Sequence, residues 1–588
     1  MILQALTSLY ETLAQKGEIS KEGWSREKIS FALSIDEEGN LLRVTPLFDT
    51  VDGPKGKTRE VPQKMTVPAA VKRTSGAAAN FLWDNSSYIL GVSLKKGEDD
   101  AEREKRRNKD IKCFEACREL HHSMLDGMEY PAAKAVLNFL DKWEPQKAEE
   151  NNLVAQYAKE ILSGANMVFR FNGGYVHDDP QLASVWQKAN AKQKDNIGQC
   201  LVTGALDEIQ NTHPTIKGVQ GAQSSGAALV SFNASAFCSY NKLQNHNAPV
   251  GKYAAFAYTT ALNHLLADKS NVHRIGDASV VCWAENADKQ YEDFAAEVFF
   301  GDNVDKSDEQ RLSALRTSLK LLADGLPCKE MDLDPDRKFY ILGLSPNAAR
   351  IAVRFFYCDS FGKIAGNIYR HHERLEIVRP SYDKFPILPL WKLLSATVNP
   401  NAKDKTPNAA MAGAVARAVF SGGRYPASLL ECTFLRIKAE RNITRERAAI
   451  IKAYYLRNPN EKCPKEVLTV SLNENSKNIP YTLGRLFSVY EEIQQAANPG
   501  INTTIKDRYF GSAAAMPATV FPILSNLAQK HLRKLSDEQR VYLDKKLMTL
   551  KSVLGEQYPA HMSLPEQGSF DLGYYHQTQD RYTKKEDK

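Results

Sequence analysis

The chain lacks any run of about 18 apolar residues, which excludes a membrane-spanning helix of ordinary length. It is poor in cysteine. Its nine cysteines are scattered, odd in number and never set as paired CxxC, which argues against a disulfide framework. Reduced thiols in the cytoplasm are the expectation. The opening MILQALTSLYETLAQKG has no basic leader, and Leu3, Leu6, Leu9, Tyr10 and Leu13 follow helical spacing, so an amphipathic helix is expected there. Catalytic signatures are missing too: there is no GxSxG and no HExxH. GPKGKT at 53–58 suggests a phosphate loop, but its first glycine would have to stand where Val51 is. Gly218, Gly221 and Gly226 do not fit the dinucleotide spacing GxGxxG either.

What is present is positive charge, unevenly placed. From Pro54 to Gly76 six Lys/Arg face one Glu, a net +5 within a chain whose total over 588 residues is +7. PAAVKRTSGAAANFLWDNSSYILG follows, joining Lys72, Arg73, Thr74 and Ser75 to the amides Asn80 and Asn85 and to Phe81, Trp83 and Tyr88. Cations and backbone donors hold phosphates, and amides read base edges, so this combination suits nucleic acid. Trp83 falls in an apolar strand pattern and is read as packing.

Two further basic regions stand apart. Arg350 and Arg354 lie in the second strand of an expected hairpin, FYILGLSPNAARIAVRFFYCD, with a turn at Ser345–Asn347; a regular strand sets both on one face. Between Arg417 and Arg457 nine Lys/Arg face three Glu, mostly on expected helices, Arg417 and Arg424 among them. A solvated helix face and a nucleic-acid track are equal readings there. The loop KGVQGAQSSG offers Gln220, Gln223, Ser224 and Ser225 on a permissive backbone, either as a flexible connection or as tips that probe a groove. Cys113, Cys117 and His121 recur every four residues on an expected helix. They spread over two turns, so a half-buried face is favoured over a zinc site. His177-Asp178 is the sole hint of a metal-dependent nuclease and lacks partners at supporting spacing.

The expected fold class is α+β: a large mixed region with antiparallel sheet elements and helices over 1–400, a basic helical connection over 401–466 and a helical bundle over 467–588. Asp36 to Asn40 supply a turn between two strands, Gly173-Gly174 a hairpin, and 94–126, 131–144 and 150–162 read as helix. In the bundle, Leu483, Leu486, Phe487, Tyr490 and Ile493 share one face. Ser536 and Gln539 form a capping box before Leu543, Leu547, Leu550 and Leu554.

VKRTSGAAANFLWDN, GVQGAQSSGAALVSFN, AFAYTTALNHLL, LGLSPNAARIAVRFF, SGGRYPASLL, YTLGRLFSVYE and LGYYHQ together resemble the large-subunit family of the type I-C CRISPR surveillance complex, Cascade. Residues 35–60 and 94–150 resemble it only loosely. The resemblance implies a non-enzymatic subunit without a cofactor, partnered by crRNA-loaded Cascade subunits. Guide RNA pairs with the target, while the large subunit reads a short adjacent motif on double-stranded DNA, aids duplex opening and supports the displaced non-target strand. It also recruits a separate helicase-nuclease. A few protein contacts thereby gate the search before costly opening. In that role Lys72 and Arg73 are expected to contact duplex phosphates or base edges beside the target, with Thr74 and Ser75 letting the backbone approach, and Asn80 and Asn85 to read bases or hold the loop. Gln220 and Gln223 are expected to probe the groove or, by analogy with a glutamine wedge in other Cascade types, to enter the opened step. Arg350, Arg354, Arg417 and Arg424 fall to the displaced strand or to neighbouring subunits. The resemblance also implies small-subunit copies made by internal initiation. With Met411 and Met516 flanking the bundle widely, that start needs a non-AUG codon near Val467, Leu468 or Val470. The rival expectations are a nuclease built on His177-Asp178 and a scaffold that holds only guide RNA and protein.

Overall fold

The computed structural model describes the chain except for residues 53–57, 72, 74, 75, 96, 192–195, 302–308, 556 and 583–588. It divides into two compact units, one of 3–213 with 232–261, the other of 214–231 with 262–588. The mixed α+β class is as expected, with sheets early and helices dominating late. Among the described residues no helix is long and apolar enough to cross a membrane.

The first unit is organised by a five-stranded sheet. Phe31–Ile35 pairs antiparallel with Leu41–Pro46, and Asp36 closes the turn between them by accepting the Asn40 N–H at 2.7 Å. The same strand pairs in parallel with Asn166–Phe171, a pairing that local alternation does not reveal because its partner lies far along the chain. On its edge away from Phe31–Ile35, Asn166–Phe171 pairs with Trp83–Asn85 and with its hairpin partner Gly174–Tyr175. Trp24–Ile29, Thr58–Pro68 and Phe48–Asp52 form a separate antiparallel sheet. The long helix Asp100–Leu125 starts at an Asp99–Glu102 capping box and buries Cys113, Phe114, Cys117 and His121. That is the apolar face anticipated for the four-residue repeat. The stretch expected as helix over 150–162 is broken into Asn152–Ala155 and Ala158–Ile161.

The second unit contains an antiparallel meander of His273–Ile275, Ala278–Ala284, Lys338–Asn347 and Arg350–Ser360. Ala278–Ala284 is buried at every position, apolar except for Ser279. The hairpin turn lies at Ala348-Ala349 and not at Ser345–Asn347: Pro346 pairs with Ile351, and Ala348 takes φ +54°. From Ala409 onward the unit is almost wholly helical. Ile479–Ala497 and Leu564–Tyr582 cross so closely that a Cβ on Gly484 would lie 1.9 Å from the Phe570 carbonyl oxygen. A Cβ on Gly573 would lie 2.1 Å from that of Tyr481, so both glycines are steric necessities of the crossing. All five apolar-face residues from Leu483 to Ile493 are buried. Ser536 accepts from the Gln539 N–H, the backbone half of the expected box.

Candidate nucleic-acid interface

The basic turn is fastened by a buried carboxylate. Asp84 stands in Trp83–Asn85 at 1% exposure and accepts the N–H groups of Asn80 at 2.9 Å and Asn85 at 2.8 Å. Arg73 forms an ion pair with the same carboxylate, donates through Nε to the Ala78 carbonyl at 2.7 Å and lies 4.0 Å over the Tyr88 ring. Burial pushes the Asp84 carboxyl up, against the Asn80 N–H and the Arg73 charge, which draw it down. Removing a partner from such a pair strands a charge in the core.

The amides belong to the same fastening. Asn80 is buried and accepts the Val71 N–H at 2.9 Å, so it holds the loop. Asn85 caps the short helix Ser86–Ile89 by accepting from Ser87 at 3.0 Å. Trp83 packs in the core and donates to the Pro68 carbonyl at 2.7 Å, in line with its packing assignment. Leu82 adopts φ +63°, and its N–H goes to His121 Nε2 at 2.9 Å while His121 Nδ1 meets the Cys117 carbonyl at 2.7 Å. Burial holds His121 at about 4, hence neutral and able to accept. Lys72, Thr74 and Ser75 lie outside the described residues, as does most of GPKGKT. Gly76 is exposed at φ +82° with nothing within 4 Å of a Cβ position, leaving open space against the backbone.

Within the second unit the structure joins two regions singled out separately in sequence. The glutamine loop is closed by an Ile216–Ala227 bridge, and Ala228 is stitched to the hairpin tip, accepting from Ile351 and donating to Ala349, both at 3.0 Å. Its backbone is pinned along its length: Lys217 N–H to Asn263 at 2.8 Å, Gln220 N–H to Ser279 at 3.1 Å. Gly226, at φ +98°, has Thr215 only 2.7 Å from its Cβ position. Gln220, Gln223, Ser224 and Ser225 are all exposed. The loop is an ordered turn that presents these side chains, not a slack connection.

Arg350 begins its strand beside this loop. Arg354 does not repeat it two steps on, because the register shifts between Gly343 and Leu344 and leaves Arg354 unpaired in a bulge. Its guanidinium pairs with Asp277 at 2.7 Å. The 417–457 cluster divides by burial. Arg417, Arg424, Lys438 and Arg441 face solvent, whereas Arg445, Arg447 and Lys452 are buried. Arg445 binds Asp383 at 3.0 Å, Arg447 binds Glu440 at 2.6 Å, and Lys452 caps the Arg374 and Glu376 carbonyls at 3.2 and 2.7 Å. Burial lowers Lys452 to about 8.

His177 is buried against Tyr175, 3.6 Å from an exposed Asp178. Among the described residues no three His, Cys, Asp or Glu side chains are grouped to hold a metal ion. Sequence reasoning missed Asp84, Tyr88 and His121 as the fastenings of the turn. The signal available was Asp84 itself, a lone carboxylate inside an apolar strand pattern, which needs a cation nearby.

No curated protein matches the chain. The family model described as CRISPR-associated protein (Cas_Csd1) matches residues 6–582, spanning the turn, the loop, the hairpin and the late helices alike. The chain therefore belongs to the Csd1 family of CRISPR-associated proteins.

Proposed function

We propose that this protein is the DNA-reading large subunit of a type I-C Cascade, acting in the cytoplasm without catalysing bond cleavage. The observation that carries the reading is the fastened turn at 71–85, in a chain that is CRISPR-associated over nearly its full length. Arg73 is held by Asp84, so it acts as the post of the turn, and Lys72 beside it is the cation assigned to the flanking duplex. Gly76 gives the phosphate backbone close access. Gln220 and Gln223, presented from a rigid loop, enter the opened step, and Arg417 and Arg424 support the displaced strand. A helicase-nuclease is recruited to the opened complex.

The test is duplex binding by the assembled complex with Lys72→Ala. Weaker duplex binding is the expected result, with lost discrimination between targets with and without the adjacent motif for a base-edge contact and even weakening across targets for a phosphate contact. A base-edge contact costs about 1–3 kcal/mol, whereas a phosphate contact weakens all sequences alike. One observation favours a second reading: Arg73 is neutralised within the chain, as a scaffold without DNA contacts allows. That reading requires unchanged duplex interrogation by Lys72→Ala.

A further inference from the structure

The second unit holds a cleft of about 360 Å³ between Arg316 of helix Glu309–Ala323, His372 of helix Phe361–Leu375, and Arg379 in the segment beyond. It shares Arg316, His372, Pro386 and Ile387 with a mostly apolar chamber of about 60 Å³, walled by Val298, Leu312, Leu315 and Leu319, whose one carboxylate, Glu297, is already paired with Arg311. Arg316 and Arg379 are exposed, and neither has a carboxylate partner among the described residues. Arg445, also in the wall, is already met by Asp383. Burial, then the Arg316 charge, holds His372 at about 4, so the imidazole adds no charge of its own at neutral pH. Glu376 is the one carboxylate lining the cleft, leaving the mouth net positive.

An apolar side chain stands in water at the same place: Val470, which lines the cleft, is 43% exposed. Arginine beside a small apolar recess fits the composition of an interface hot spot. The recess also limits its occupant. A cavity that takes a benzene ring measures about 150 Å³, so the chamber of about 60 Å³ is too small for a nucleobase and suits one aliphatic side chain.

We propose that this cleft docks an acidic protein segment, which seats one aliphatic side chain in the chamber and sets its carboxylates on Arg316 and Arg379. Charge complementarity selects the partner, and the chamber fixes its register.

The probe is a fluorescein-labelled decapeptide of aspartate and glutamate around a central leucine, titrated against the full chain by anisotropy. Saturable binding at about 1 mM or tighter is expected, weakened about tenfold when serine replaces the leucine. Arg316→Ala with Arg379→Ala, both on exposed positions, should weaken it by a similar factor with an unchanged melting curve. Three outcomes overturn the proposal. The peptide does not bind; it binds equally to the double variant; or a labelled ten-nucleotide deoxythymidylate depends on the arginine pair while the peptide does not.

Discussion

The basic turn and the glutamine loop reach order by opposite means. In the turn the side chains do the fastening: Arg73 and Asp84 pair, Asn80 holds Val71, and Asn85 caps a helix. In the loop the backbone does it, through Lys217, Gln220 and Ala228, and the side chains of Gln220 to Ser225 face outward. Polar residues next to one another in sequence can therefore be structural in one segment and available to a partner in another. The 417–457 helices repeat the division within a single cluster, with Arg445 inside and Arg417 outside.

The sharpest way to break this contrast is Arg73→Ala. It leaves the Asp84 carboxylate buried without its cation, and a loss of about 3 kcal/mol is expected, at the low end for a broken buried pair. Urea unfolding checks it. A loss below about 0.5 kcal/mol, the ordinary surface value, would remove Arg73 from the fastening.

A pH series sharpens the same side of the comparison. His121 sits at about 4 in the fold against 6.5 for the free group, so the folded chain binds fewer protons than the unfolded chain between those values. Its contribution is fully present above 6.5 and fades as pH falls towards 4, by at most about 3 kcal/mol. Protonated Nε2 can no longer accept the Leu82 N–H. His121→Gln should flatten the fall in thermal stability from pH 7 to 4.5; an unchanged slope assigns the acid sensitivity to other buried histidines.

The loop carries the smallest stability effect and the clearer functional one. Gln220→Ala with Gln223→Ala should alter folding stability by no more than about 0.5 kcal/mol. It should nevertheless slow R-loop opening, read by permanganate footprinting, more than initial binding. Equal opening kinetics would return the loop to a structural role.

Much of the architecture was legible in the sequence because it is local. The Asp36–Asn40 turn, the Gly173-Gly174 hairpin and the Leu483–Ile493 face all follow from spacing within a few residues. The parallel pairing of Phe31–Ile35 with Asn166–Phe171 is not local and left no trace in alternation. The same limit governs the site. The segment around Lys72 is visible as a charge concentration, but the use of Arg73 as a post depends on Asp84, and the use of Leu82 depends on His121, 39 positions further on. The bulge at Arg354 is likewise set by its pairing with the neighbouring strand, so period-two reasoning from one strand misplaced it.

The most direct measurement is a density map of the assembled complex on a duplex target, read for what touches the base pairs beside the guide-paired stretch. Residues 71–85 are expected to lie against that flanking duplex, with Lys72 at its backbone or base edges. A map in which this turn faces bulk water, remote from any double-stranded DNA, would contradict it.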